Sequence, residues 1–322
     1  LHLCDRRQRQ MCIRDRNNVM VIVCSTDDMY VQHCGTMLTS LFENNKEEQI
    51  FVYVLTSGLS MRNSNSLKAI VDKYNGEYCC LTIDDKLLEK CPIRETDHLT
   101  IVTYYRLLIP QILPLNITKV LYLDCDIIIN SSLKELWEID ISDWALGAVE
   151  EHGCSLNDAY ERLEYESKYG YFNAGVLLIN VDYWRKNKVV ERIADFIAVN
   201  SSKLKAHDQD VLNALFHDKY LHLDCKWNVE EAFFHNSTIV KNNYSEELLN
   251  AIKNPVILHY TWKPKPWEAG CEHPLKNMYY IYLEQTEWKN YTISEKKPLN
   301  LLKSIYKIMV RFGLKTPIYY KL

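Results

Sequence analysis

Asp124 and Asp126 stand one residue apart, directly after the apolar run Val120-Leu121-Tyr122-Leu123. Two carboxylates this close repel each other unless a cation neutralises them, and a hard divalent ion does so naturally. A third ligand is available in His259, which closes another apolar run, Val256-Ile257-Leu258. An imidazole beside two carboxylates shifts the preference from Mg²⁺ or Ca²⁺ towards Mn²⁺, with Mg²⁺ as the alternative. Three protein ligands leave coordination positions open for a diphosphate, and an ion so placed neutralises a phosphate leaving group. After His259 come two prolines, Pro264 and Pro266, which stiffen the backbone, and Trp267, which can pack it down. Lys265 between them becomes a fixed cation suited to a phosphate. Polar Thr26-Asp27-Asp28 ends a third apolar run, 19–24.

These residues converge only if the elements before them are neighbours. Apolar, β-branched runs predict strands at 19–24, 50–55, 120–123, 127–129, 145–149, 175–179 and 256–258. Cys34, Met37, Leu38, Leu41 and Phe42 recur at helical spacing. Further helices are expected at 60–74, at 100–108 with a stop before Pro110, and at 207–216. Another is expected from Asp182, as its cap, to 199, with Val190, Ile193 and Ile197 on one face. The β-α-β-α order implies an α/β fold, a doubly wound, mostly parallel twisted sheet with helices on both faces. Ligands of such sheets sit at the carboxyl ends of strands, so the three clusters would share one rim.

The 322 residues allow one large domain or two small ones. With 47% hydrophobic and 25% charged residues, the composition is that of a globular protein able to bury a core. A net charge of −4 and the lack of an Arg-rich tract argue against a nucleic-acid partner. The 22 tyrosines and 7 tryptophans could stack on sugars or bases, although most would fill the core. The eleven scattered cysteines, with no C-x-x-C, read as reduced thiols of a cytosolic protein. No apolar stretch is long enough to span a bilayer, and residues 1–16 lack the apolar core of a signal peptide. Met11-Cys12-Ile13-Arg14-Asp15-Arg16 resembles a translated sequencing adaptor. We therefore expect a foreign or disordered tail at 1–17, a catalytic domain at 18–270 and a helical, basic C-terminal extension at 271–322. From Lys296 onward there are seven basic residues and no acidic one. Leu301, Ile305, Ile308, Met309 and Phe312 share a helical face opposite Lys303, Lys307 and Arg311. This pattern suits an interfacial helix drawn to anionic lipid at the cytoplasmic membrane face.

Six stretches, in order, carry a family resemblance: Ser25-Thr26-Asp27-Asp28-Met29-Tyr30, Tyr104-Tyr105-Arg106-Leu107-Leu108-Ile109-Pro110, Leu121-Tyr122-Leu123-Asp124-Cys125-Asp126, 171–180 around Asn173 and Gly175, Asp208-Gln209-Asp210-Val211-Leu212-Asn213, and His259-Tyr260 with Lys265-Pro266-Trp267. Together they span about residues 19 to 267, and the chain resembles glycosyltransferase family 8, retaining transferases that include bacterial lipopolysaccharide glucosyl- and galactosyltransferases and glycogenin. The resemblance implies a GT-A fold, a UDP-sugar donor, and a glycan or lipid-linked acceptor of surface-polysaccharide synthesis. It puts Asp27 and Tyr30 at the uracil, with Tyr30 stacking on the base. Thr26 and Cys125 join them as donor-binding positions, and Arg106 reaches the donor. Asp124 would serve the ribose as well as the metal, with Asp126 and His259 completing the metal site. Asn173, Glu151 and Asp208 would hold sugar hydroxyls, Lys265 the diphosphate, and Gln209 would lie near the anomeric carbon. The catalytic pair is thus Gln209 and Asp208. Two positions depart from the family: Trp262 replaces a usual glycine, whose bare backbone can approach phosphate, and Met29 replaces a frequent asparagine.

Retention by double displacement needs a carboxylate nucleophile. Gln209 is a poor one, so the expected course is front-face substitution, with the departing phosphate oxygen taking the acceptor's proton. Two other readings compete. A strand followed by D-x-D also marks haloacid-dehalogenase-type phosphatases, but there it usually ends the first strand, and here it comes late. A catalytically idle UDP-sugar-binding protein is the other, kept open by Trp262.

Overall fold

The computed structural model describes residues 19–84, 88, 91–92, 101–152, 158–237, 245–291, 306 and 308–320. The expected tail at 1–17 lies outside them, as do Leu301, Lys303, Ile305 and Lys307 of the expected basic helix.

The strands are β1 Val19–Ser25, β2 Gln49–Thr56, β3 Glu77–Thr82, β4 Lys119–Leu123, β5 Ile127–Ile129, β6 Leu146–Ala148, β7 Val176–Asn180, β8 Tyr220–His222, β9 Val229–Glu230 and β10 Ile257–His259. Seven form one sheet in the order β3-β2-β1-β4-β7-β6-β8. Strands β1 to β4 run parallel, but β7 is antiparallel to both its neighbours, β4 and β6. The sheet is therefore mixed, with a parallel majority. Its central strands β1, β4 and β7 are buried on both faces, and alternate residues divide between two cores. Met20, Ile22 and Cys24 of β1 face α1 (Val31–Glu43) and α2 (Met61–Lys73), whereas Val21 and Val23 face the segment around Tyr104 and Tyr105.

The remaining strands form a second, three-stranded sheet, β5-β10-β9. The strand ending at His259 is thus not in the main sheet, against the simple expectation of neighbouring strands. Convergence comes instead from register: β5 follows Asp126 directly and pairs antiparallel with β10, so that His259 faces Ile127.

Other departures are local. The helix expected from Asp182 to 199 is two helices, Val181–Lys186 and Val189–Asn200, separated by Lys188 in the left-handed region at φ 48°. Its cap is Asn180, whose side chain accepts from the Tyr183 N–H at 2.8 Å. Pro110 does not stop a helix. Ile101–Leu108 is a 3₁₀ helix, and Pro110 sits in the first turn of the next one, where its missing N–H costs nothing. Strands β3, β8 and β9 were not expected from sequence. The helix Asn277–Leu283 lies in the extension expected to be helical, and it returns to α1: its Tyr279 hydroxyl lies 2.7 Å from His33 Nδ1, and Tyr282 accepts from Asn44 Nδ2 at 2.8 Å.

Two of the motifs are tied together through the helix His207–Phe216. The Asn213 amide pairs with both backbone groups of Phe172, at 2.8 Å each. Fully buried Asp210 accepts from Tyr171 Oη, from both Arg162 nitrogens at 2.6 and 3.1 Å, and from the N–H groups of Lys205 and Ala206. Replacing Asp210 by alanine removes this counter-charge and leaves the Arg162 guanidinium, in a largely buried place, with only the exposed Asp158 carboxylate at 3.4 Å and Lys203 O. The expected loss, read from the urea unfolding midpoint, is about 3–5 kcal/mol.

Candidate active site

β4 delivers Asp124 at its carboxyl end, and the chain leaves the main sheet through Asp124-Cys125-Asp126. The turn is clamped on both sides: Asp124 N–H donates to Gly175 O at 2.8 Å, and Tyr260 N–H donates to Asp126 O at 3.0 Å. Asp124, Asp126 and His259 each offer a ligand atom, and these atoms lie within 4.8 Å of one another. His259 Nε2 is 3.2 Å from Asp126 Oδ1 and 4.0 Å from Asp124 Oδ2.

A relay of amides fixes the histidine. Asn228 Nδ2 donates to Asn173 Oδ1 at 2.9 Å, so the Asn228 oxygen faces His259 Nδ1, also at 2.9 Å. Gly175 N–H supports the same Asn173 oxygen at 2.8 Å. Nδ1 therefore carries the proton, and Nε2 turns its lone pair towards the carboxylates. Two acceptors facing each other at this distance need a proton or a cation between them. That is the first reason the residues fit a divalent ion. The second is the space beside them. A methyl group on Gly175 would lie 2.2 Å from the His259 ring and 2.8 Å from Asp124 Oδ2, so only glycine leaves the ligands room to close.

Each carboxylate has its own counter-charge. Arg106 NH2 is 2.8 Å from Asp124 Oδ1, its guanidinium lies over the Tyr122 ring at 4.3 Å, and it also donates to Ala174 O. Tyr122 donates to the same Asp124 oxygen at 3.1 Å. Lys265 Nζ is 2.7 Å from Asp126 Oδ2 and is held as well by Tyr260 O. Burial opposes ionisation of Asp126, but the Lys265 ammonium, and His259 once a proton on Nε2 fills the gap between the two acceptors, hold its carboxyl well below the usual range.

Asp208 is buried with one oxygen accepting from Thr103 Oγ1 at 2.9 Å and the other 2.9 Å from Arg106 Nε, whose N–H is aimed at Thr103 O. Burial raises its pKa, Arg106 opposes the rise, and the Asp124 charge adds to it. Gln209 is fixed at both ends of its amide: it accepts from Ala174 N–H at 2.9 Å and donates to Glu151 Oε2 at 2.5 Å. Asn173 and Glu151 are buried beside it. Asp27 accepts from Tyr30 N–H at 2.9 Å, which sets the start of α1, and the Tyr30 ring meets Trp267 edge-on at 5.9 Å. Thr26 is buried, its N–H on Leu55 O. Cys125 Sγ donates to Ser25 O at 3.2 Å. The departures from the family are on the outside: Met29 is 88% exposed and Trp262 43%.

Asn228 was missed by sequence reasoning, because a single asparagine after Trp227 has no pattern. Glu230 was missed too. It is paired in register with His259, is buried with Oε1 unpartnered among the described residues, and is pushed well above the carboxylate range by burial and by Glu151.

Gly175→Ala is expected to keep the fold, as judged by circular dichroism, but to weaken divalent-ion binding by at least the 10–100-fold typical of lost ligand orientation. Isothermal titration of Mn²⁺ in the presence of UDP reads this directly, and wild-type affinity would contradict it.

A family model described as "Glycosyl transferase family 8" matches residues 21–271. General stress protein A of Bacillus subtilis is 29% identical over 282 residues, 85% of this chain and 96% of its own length. Lipopolysaccharide 1,2-glucosyltransferase of Escherichia coli is 26% identical and shares 86% of this chain and 81% of its own. Among solved structures, galactosyltransferase LgtC in complex with donor and acceptor sugar analogues has a TM-score of 0.75 at 25% identity, covering 83% of this chain and 96% of that one. The fold is GT-A, and the phosphatase reading is set aside. The expected resemblance thus holds across the sheet, the aspartate turn and the histidine strand: the chain is a glycosyltransferase and belongs to glycosyltransferase family 8.

Proposed function

We propose that the protein transfers glucose or galactose, with retention of configuration, from a UDP-sugar to a glycan or lipid-linked acceptor of a cell-surface polysaccharide. The observation that carries this reading is the Asp124–Asp126–His259 donor set, closed by Gly175 and ringed by Arg106, Lys265 and Gln209. Asp124, Asp126 and His259 would hold Mn²⁺, with Mg²⁺ the alternative. When bound, the ion supplies Lewis-acid neutralisation of the diphosphate leaving group.

The chain's own residues do the rest. Arg106 pairs with Asp124 and holds it in place. Lys265 offers a second cation beside the ion site, suited to a phosphate oxygen. Asp27, Thr26 and Tyr30 would receive the uracil, and the Asp124-Cys125 turn the ribose. Asn173, Glu151 and Asp208 would hold sugar hydroxyls. Asp208 is engaged by Arg106 and Thr103, which argues against its acting as a free nucleophile. The Gln209 amide, fixed on Ala174 and Glu151, cannot accept a proton and would stabilise charge near the anomeric carbon. Both features favour front-face substitution, in which the leaving phosphate oxygen deprotonates the acceptor hydroxyl.

In this reading residues 18–270 are the catalytic unit, working at the cytoplasmic membrane face, and 271–322 are an extension that reaches lipid. No helix among the described residues is long and apolar enough to cross a membrane. Ile308 and Phe312, on the expected apolar face of the basic helix, are 56% and 73% exposed, which supports a peripheral contact.

UDP release from UDP-glucose and UDP-galactose, with Mn²⁺ or chelator, tests the reading. Release should require the ion and fall by at least two orders of magnitude in Asp126→Ala, a loss of about 3 kcal/mol in transition-state stabilisation. Donor binding without release would instead favour a catalytically idle UDP-sugar-binding protein.

A further inference from the structure

A second cluster lies beneath the aspartate turn. The thiols of Cys24, at the end of β1, Cys34, in α1, and Cys125, between the two aspartates, lie within 4.8 Å of one another, with Cys24 and Cys34 Sγ 3.8 Å apart. All three are buried. We propose that these cysteines form a trigonal site for a soft, thiophilic divalent cation, distinct from the Asp124–Asp126–His259 set.

Geometry is the first argument. Three sulfurs around one ion at the usual Zn–S length of about 2.3 Å form a triangle with sides of about 4.0 Å. Here the sulfurs already lie within 4.8 Å of one another, with one pair at 3.8 Å, so little rearrangement is needed. Two consecutive elements, β1 and α1, supply two of them, and the aspartate turn about a hundred residues on supplies the third, so the cluster exists only in the folded chain. Ligand chemistry is the second. Thiolates select soft ions, whereas two carboxylates and an imidazole suit Mn²⁺ or Mg²⁺. One chain would thus sort two kinds of ion between adjacent sites. The proton balance follows from that ligand set. Binding breaks three S–H bonds, releases three protons to solvent and forms three metal–sulfur bonds, leaving one net negative charge. The Cys125 sulfur opposes the rise, but the Cys24 sulfur and burial raise the Cys34 thiol well above its usual range, so the bound ion itself must drive its deprotonation.

The site is coupled to catalysis through Cys125. Its thiol now donates to Ser25 O, and ligation removes that bond. The peptide carrying Asp124 and Asp126 would be drawn towards the β1–α1 side. A soft ion here should therefore inhibit transfer without competing for the aspartates.

Cd²⁺ alone is the probe, added to the full chain in the presence of excess Mn²⁺ and followed by thiolate-to-metal charge-transfer absorption and by UDP release. The expected result is one tightly held Cd²⁺ per chain, with the absorption band, and at least a tenfold loss of UDP release that more Mn²⁺ does not restore. Cys34→Ala should lose both the band and the inhibition while keeping its Mn²⁺-dependent activity, and Cys24→Ala should lose the band in the same way. An equal band in Cys34→Ala would assign the ion to other thiols and overturn the proposal. So would undiminished inhibition in that variant, since the ion would then act at the aspartates. The absorption measurement needs no turnover, so it stands or falls separately from the proposed transfer reaction.

Discussion

Charge at the aspartate turn constrains this molecule more than any other feature. Two carboxylates within one turn, at the seam between two sheets, must each be compensated without being merged. Asp124 is given to Arg106, and Asp126 to Lys265 and His259. Those partners come from a 3₁₀ helix, a proline-braced loop and a strand of the second sheet, so the constraint reaches across most of the chain. Arg106 must in turn be buried, and it needs Asp208, the Tyr122 ring and two backbone carbonyls to be tolerated there. The D-Q-D motif is thereby anchored to the D-x-D motif, although eighty-odd residues separate them.

The same logic explains which parts of the site could be read from the sequence. Asp124, Asp126 and His259 each follow an apolar run, and a strand ending in a ligand residue is a pattern that periodicity exposes. The parallel half of the sheet was legible for the same reason: Val19–Ser25, Gln49–Thr56 and Lys119–Leu123 are short, apolar and separated by helices or long connections. Direction was not legible. Val176–Asn180 is as apolar as its neighbours yet runs antiparallel, and nothing in an apolar run encodes which way it points. The second sheet was hidden because β9 has two residues and shows no period.

Asn228 belongs to the same class of hidden residue. Its role depends on a neighbour's hydrogen bond, not on spacing: Asn173 takes its N–H, and only then does its oxygen fix the His259 tautomer. Gly175 could be quoted as part of a motif, but its purpose emerged only when the ring of His259 was found where a methyl group would be. Side-chain relays and close approaches are properties of the assembled turn, and a sequence contains their parts without their order.

The placement of Lys265 bears on how ion and donor would arrive. Without a divalent ion its ammonium already lies on Asp126, with His259 opposite, so the carboxylate stays ionised and oriented. A cation entering alone would meet Lys265 and Arg106, two positive charges against the aspartates, and would gain little from a site already near balance. An ion accompanied by a diphosphate changes the sum, because the phosphate oxygens compensate both the ion and a lysine displaced from Asp126. In the proposed reaction, then, the Asp126–Lys265 pair holds the geometry before binding and favours joint entry of ion and nucleotide. On that proposal, the charges that hold the turn together would also limit unproductive loading by either one.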